Sequence, residues 1–137
     1  MRVLTQIPIQ LLAPVQCALP DVELIFIPME GALPADLRGD VLLTHAKGAP
    51  NLASAVACGV RWVHAYGTGV NDFPFGALGG LPLTCSRGAS AIPIAEWVLA
   101  MLLAAEKKLP GAWIHEPPAH WSIGSLGALH GPLVLTL

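Results

Sequence analysis

A chain of 137 residues is enough for one domain of ordinary size. At that length folding buries roughly two-thirds of the unfolded surface, so no disulfide or metal staple is required. Apolar residues make up 54% and charged residues 12%, which excludes a disordered, solvating chain. Seven basic and nine acidic side chains leave a net charge of −2, so nothing draws the protein to nucleic acid.

Fourteen glycines and 13 prolines predict many turns and short elements. Residues 2–7 form a short apolar run with strand character. Residues 9–19 carry a helical pattern weakened by Pro14. Residues 22–27 (VELIFI), rich in β-branched and aromatic side chains and stopped by Pro28, predict a strand. Residues 31–39 predict a loop or a short helix, and 40–45 (DVLLTH) a second buried strand. Residues 50–58 predict a helix with Pro50 near its start and Gly59 as its stop. A third strand follows at 60–66 (VRWVHAY) and a fourth at 81–85.

Residues 92–108 give the strongest helix, with Lys107 and Lys108 suited to the negative end of its dipole and Pro110-Gly111 ending it. Residues 111–131 read as a Pro/Gly-rich linker, and 132–137 (PLVLTL) as a last strand. Short apolar strands alternating with helices predict crossover units and a parallel sheet covered on both faces. The strongest helix is apolar all round until Glu106 and therefore needs cover all round. The thin charge and this helix together predict apolar surface that meets another domain or subunit.

Three cysteines, Cys17, Cys58 and Cys85, form no C-x-x-C pair and read as buried reduced thiols in a cytoplasmic protein. Prolines at 8, 14 and 20 and a single Arg2 argue against a signal peptide. The apolar stretch 89–105 contains Pro93 and Glu96 and falls short of a transmembrane span. A zinc-protease helix fails twice: His115-Glu116 and His120 have the spacing H-E-x-x-x-H, and Pro117-Pro118 forbid the helix. No G-x-S-x-G occurs. Gly67-Thr68-Gly69 follows a strand, but Asp72 stands where a dinucleotide fingerprint needs its third glycine. His64, inside an apolar strand, reads as a hydrogen-bonded core histidine. His115 and His120 read as loop residues, and His130 as a strand-entry residue.

Two segments stand at the carboxyl ends of adjacent predicted strands: 66–72 (YGTGVND) and 86–91 (SRGASA). Ligands of parallel α/β sheets bind outside those ends. A glycine-flanked turn can present consecutive backbone N–H groups to an anion, and a carboxylate on two such donors gains about 1.5–3 kcal/mol per bond. Thr68 adds a hydroxyl donor. The competing reading is that both segments are tight turns needing positive φ.

Residues 60–73 (VRWVHAYGTGVNDF) resemble the pattern L-x-W-V-x-x-x-G-A-G-V-D. A short helix, a strand LPLT and then SRGASAIPIAEWVLAMLL follow. That order is similar to the substrate-binding domain of the D-isomer-specific 2-hydroxyacid dehydrogenases. Residues 95–103 (AEWVLAMLL) resemble that family's interdomain helix. Trp121 with 129–135 (LHGPLVL) resembles the segment leading into its NAD domain. The resemblance runs along essentially the whole chain and is strongest over 60–103.

What the resemblance implies is an α/β, flavodoxin-like parallel sheet with helices on both faces, ending at the first strand of a missing Rossmann domain. It implies three parts: a substrate-binding domain over 1–90, an interdomain helix and linker over 91–131, and a truncated first strand over 132–137. The reaction implied is hydride exchange between NAD or NADP and a 2-oxo/2-hydroxy acid. Thr68, Gly69 and Val70 would bind the substrate carboxylate, Thr68 would also touch the cofactor, and Ser90 stands where relatives often carry an asparagine near substrate. The family's nucleotide fingerprint and its catalytic arginine, glutamate and histidine have no matching positions here. The chain is therefore expected to be inactive alone and to bind a small organic acid; its apolar helix adds the expectation of a homodimer or other association through 92–105. The alternative is a non-catalytic scaffold or regulator that keeps the fold. A flavin binder of the same fold is disfavoured because no Ser/Thr-rich loop follows the first strand.

Overall fold

Five apolar runs become strands: β1 (Arg2–Thr5), β2 (Glu23–Phe26), β3 (Val41–His45), β4 (Trp62–Tyr66) and β5 (Leu83–Cys85). The structure is a computed structural model and describes residues 1–117, 119 and 127–130. All neighbouring strands are parallel, in the order β2-β1-β3-β4-β5. That is the flavodoxin-like doubly wound order, as expected. Two compact units divide the chain, Met1–Ala89 and Ser90–Leu137.

In the first unit, successive strand residues point to opposite faces. Leu4, Leu42, Val63 and Ala65 point to the face covered by α2 (Leu52–Val56) and by a 3-10 helix at Phe75–Leu78. They pack there with Leu52, Ala55, Phe73 and Leu78. Leu4, Leu42, Leu52 and Val63 are fully buried, each gaining about 1.5–3 kcal/mol from leaving water. Gly39 is part of this packing, because a methyl group there would fall on the Leu4 side chain.

The opposite face is filled less completely than the sequence predicts. A 3-10 helix at Ile9–Leu12 and α1 (Ala13–Ala18) lie over its β2-β1 side, and Leu12 alone is buried among them. Val3, Val41, Leu43, Trp62 and Tyr66 line an open apolar groove of about 380 Å³. Helices thus lie on both faces, but the layer over β3 and β4 is incomplete within this unit. The predicted helix 9–19 starts late because Pro14 is tolerated only in a first turn, so α1 begins at Ala13 and the preceding turn tightens. The strand expected to be buried at 22–27 is an edge strand, with Phe26 half-exposed. The segment 31–39 is a loop.

A buried polar network ties the carboxyl ends of β1 and β3 to the start of α2. Gln6 Nε2 donates to Asn51 Oδ1 at 2.9 Å, Thr44 Oγ1 donates to Gln6 Oε1 at 2.5 Å, and Asn51 Nδ2 donates to the Pro28 carbonyl at 3.0 Å. Among the described residues no buried side-chain nitrogen or oxygen lacks a partner.

The second unit contains α3 (Ala91–Glu106), 16 residues long. Pro93 sits in its first turn, where no N–H is needed. None of its side chains is buried: Ile92, Trp97 and Leu99 keep 73%, 62% and 54% of their surface exposed. Lys107 and Lys108 lie just past the last turn rather than in it. The helix closes at Lys107, and Lys108 takes a left-handed φ of 54°. Lys107 Nζ donates to the Gly127 carbonyl at 2.6 Å. His115 and His130 are exposed. The strand expected at 132–137, His120, Trp121 and most of the second half of the linker lie outside the described residues.

The cysteines are free, but only Cys58 is buried; Cys85 is half-buried and Cys17 exposed. Cys17 projects from α1, which buries none of its side chains.

Candidate functional site

The carboxyl ends of β4 and β5 are stitched together one step beyond their ladder. His64 pairs with Thr84 and Ala65 with Cys85 in the sheet register. Ser86 N–H then donates to the Gly67 carbonyl at 2.9 Å, and Gly67 N–H reaches the Ser86 hydroxyl at 3.5 Å. Gly67 has φ +125°, a region closed to most side chains, and a methyl group there would meet the Ala46 side chain at 3.2 Å. This glycine is needed to turn the chain.

Gly69 is different. Its φ is not positive, and a methyl group there would meet nothing within 4 Å. Neither backbone strain nor packing among the described residues calls for glycine at this position. A small residue that nothing internal requires, in an exposed turn, leaves room for a group from outside.

The far side of the turn is anchored in the core. Phe73 is 4% exposed, its N–H donates to the Val70 carbonyl at 3.1 Å, and its ring meets Phe75 edge-on at 5.7 Å. Val70 is half-buried against the same core. Between these anchors Thr68 and Gly69 are exposed. Among the described residues, the N–H groups of Thr68, Gly69 and Val70 have no acceptor. Water satisfies such exposed donors, and an anion that replaces the water gains charge-assisted bonds.

Of the residues singled out in the sequence, Thr68, Gly69 and Val70 share this one turn. Ser90 belongs to the second unit, where it caps α3; it is exposed, its side chain makes no capping bond, and its carbonyl accepts from Ile94 N–H at 3.1 Å. The competing tight-turn reading holds for Gly67 and Gly88, both at positive φ, and not for Gly69.

His64 is hydrogen-bonded as expected but is not a core residue. It is half-buried on the less covered sheet face, with Nδ1 2.8 Å from Thr84 Oγ1 and Nε2 3.2 Å from Ser86 Oγ. Trp62 Nε1 donates to the same Thr84 hydroxyl at 2.8 Å. This polar chain was missed, although its signal is present in the sequence. W-x-H and T-x-S at period-two spacing on neighbouring strands put all four side chains on one face.

The perturbed carboxylate lies elsewhere. Asp40 accepts from the Arg2 backbone N–H at 2.9 Å and from Arg61 at 3.0 Å, and these two bonds hold its carboxyl below the ordinary value. It precedes β3, at the opposite end of the sheet from Gly67. Among the described residues no three metal-ligating side chains converge, and no helix is long and apolar enough to cross a membrane.

No family profile and no curated relative matches the chain. Among solved structures it is similar to a phosphoglycerate dehydrogenase from Lactobacillus plantarum, with 23% identity and a TM-score of 0.47 over 93% of this chain and 43% of that one. It is also similar to the apo D-mandelate dehydrogenase of Rhodotorula graminis, with 17% identity and a TM-score of 0.49 over 78% of this chain and 37% of that one. The chain therefore spans less than half the length of either structure it matches.

Proposed function

We propose that these 137 residues are the substrate-side portion of an NAD(P)-dependent D-2-hydroxyacid dehydrogenase. The observation that carries this reading is the turn at 67–70. Its three successive amides are free among the described residues, and its sequence GTGV resembles the carboxylate-binding turn of that family. The Thr68, Gly69 and Val70 amides hold the carboxylate of a 2-oxo or 2-hydroxy acid, and the Thr68 hydroxyl adds a donor. Two bonds of this kind give a dissociation constant on the order of millimolar.

A bound nicotinamide nucleotide supplies or accepts the hydride. The chain's own turn does not fit its pyrophosphate, because Asp72 occupies the third glycine position of the fingerprint. The Thr68 hydroxyl contributes a contact at the edge of the cofactor. The acid–base groups come from a nucleotide-binding domain outside these residues. The free thiols of Cys58 and Cys85 support a reducing, cytoplasmic setting. The exposed apolar residues of α3 support pairing of two copies through that helix.

Residues 1–137 mixed with pyruvate and NADH will give no turnover. The same chain continued by its downstream coding sequence will bind a dinucleotide and oxidise NADH with a 2-oxo acid. A continued chain that binds no dinucleotide contradicts the proposal and favours a scaffold that keeps only the fold.

A further inference from the structure

We propose that the Ser86 hydroxyl is an additional donor of the carboxylate site, aimed at the ligand by a chain of hydrogen bonds running Trp62–Thr84–His64–Ser86. This rests on the carboxylate reading of the 67–70 turn and extends it to side chains to which neither the motif nor the resemblance gives a ligand-binding role.

Trp62 Nε1–H is a donor only, and it points at Thr84 Oγ1 from 2.8 Å. Thr84 thus accepts from tryptophan and has one proton of its own to give. Its other partner among the described residues is His64 Nδ1, also at 2.8 Å. Giving the proton to Nδ1 satisfies both groups, and it places the imidazole proton on Nε2. The reverse tautomer leaves the Thr84 proton without a partner among the described residues. With Nε2 protonated, His64 donates to Ser86 Oγ across 3.2 Å.

Ser86 Oγ now accepts from His64, and weakly from Gly67 N–H at 3.5 Å. Both of its lone pairs are engaged, so its own O–H must point away from both donors. Ser86 stands at the carboxyl end of β5, bonded through its backbone N–H to the Gly67 carbonyl at 2.9 Å. The free proton is therefore presented beside the turn whose next three amides have no acceptor among the described residues. Every donor upstream polarises the next bond in the same direction, which strengthens the last one. His64 and Thr84 are positioning residues; Ser86 touches the ligand.

The experiment uses the whole 137-residue chain labelled with 15N, with pyruvate as the probe. A long-range 15N–1H spectrum of the free protein reads the His64 tautomer, and the Nε2–H form is expected. Pyruvate titration should shift the amides of Thr68, Gly69 and Val70 to saturation. Ser86→Ala should weaken that binding about tenfold, the loss of one bond to a charged group. Ser86→Thr, which keeps the hydroxyl, should restore it. Amides away from the turn should stay in place in both variants, showing that the fold is intact.

An Nδ1–H tautomer, or Ser86→Ala binding pyruvate as well as the unaltered chain, overturns the inference. The proposed function fails in a different way, when pyruvate leaves the Thr68–Val70 amides of the unaltered chain unmoved.

Discussion

Two glycines two residues apart do different jobs, and their substitution separates shape from function. Gly67→Ala puts a side chain at φ +125° and against Ala46, so it should cost about 1–3 kcal/mol in urea unfolding. Gly69→Ala meets open space at an ordinary φ, so stability should stay within about 0.5 kcal/mol. The added methyl group at 69 stands where the ligand approaches, so carboxylate binding should fall although the fold is untouched. Loss of stability in Gly69→Ala equal to that in Gly67→Ala would mean that both residues serve only the turn.

Asp40 makes a second residue-scale prediction. Its folded carboxyl titrates below the ordinary range because the Arg2 amide and Arg61 favour the ionised form. A depressed acid stabilises the fold above its unfolded value, near pH 3.9, and that contribution is lost as the pH falls through the folded value. Asp40→Asn should flatten the acid limb of the stability curve below about pH 4 and leave its slope near neutrality unchanged. An acid limb identical in both proteins would show that the pairing carries no linkage.

At the scale of elements, the parallel sheet was legible because its strands are short apolar runs bounded by Gly and Pro. The order of the strands followed from the resemblance rather than from the residues themselves. Helix boundaries were less legible. Pro14 looked like a breaker and turned out to be an N-terminal residue, which shortened α1 to Ala13–Ala18. Lys107 looked helical and became the cap. The Gln6–Thr44–Asn51 network was not legible at all, since three polar residues spread over 45 positions have no local period.

That network joins β1, β3 and α2. Thr44→Val keeps the shape and removes the proton donated to Gln6 Oε1. A buried acceptor left unpaired costs about 1–3 kcal/mol. Chemical denaturation should show that loss with the slope against denaturant unchanged. A neutral result would mean that water or a shifted Gln6 fills the gap.

For the whole molecule, the sequence pointed to a helix that needs cover on every side, and α3 indeed buries none of its side chains within the described residues. Leaving a large apolar side chain in water forgoes about 1.5–3 kcal/mol. Sedimentation equilibrium should therefore show concentration-dependent association, and Trp97→Glu with Leu99→Glu on the same helix should abolish it. A monomer at high concentration would contradict pairing through α3. The candidate site divides in the same way. Thr68, Gly69 and Val70 were legible as a motif. The Trp62–Thr84–His64–Ser86 chain had its period-two spacing in the sequence, but which side chains meet was fixed by the β4–β5 register.

The most direct test of the carboxylate site compares pyruvate with its uncharged methyl ester on the 15N-labelled chain. Saturable shifts of the Thr68, Gly69 and Val70 amides are expected with pyruvate and none with the ester. Equal shifts with both, or none with either, would contradict it.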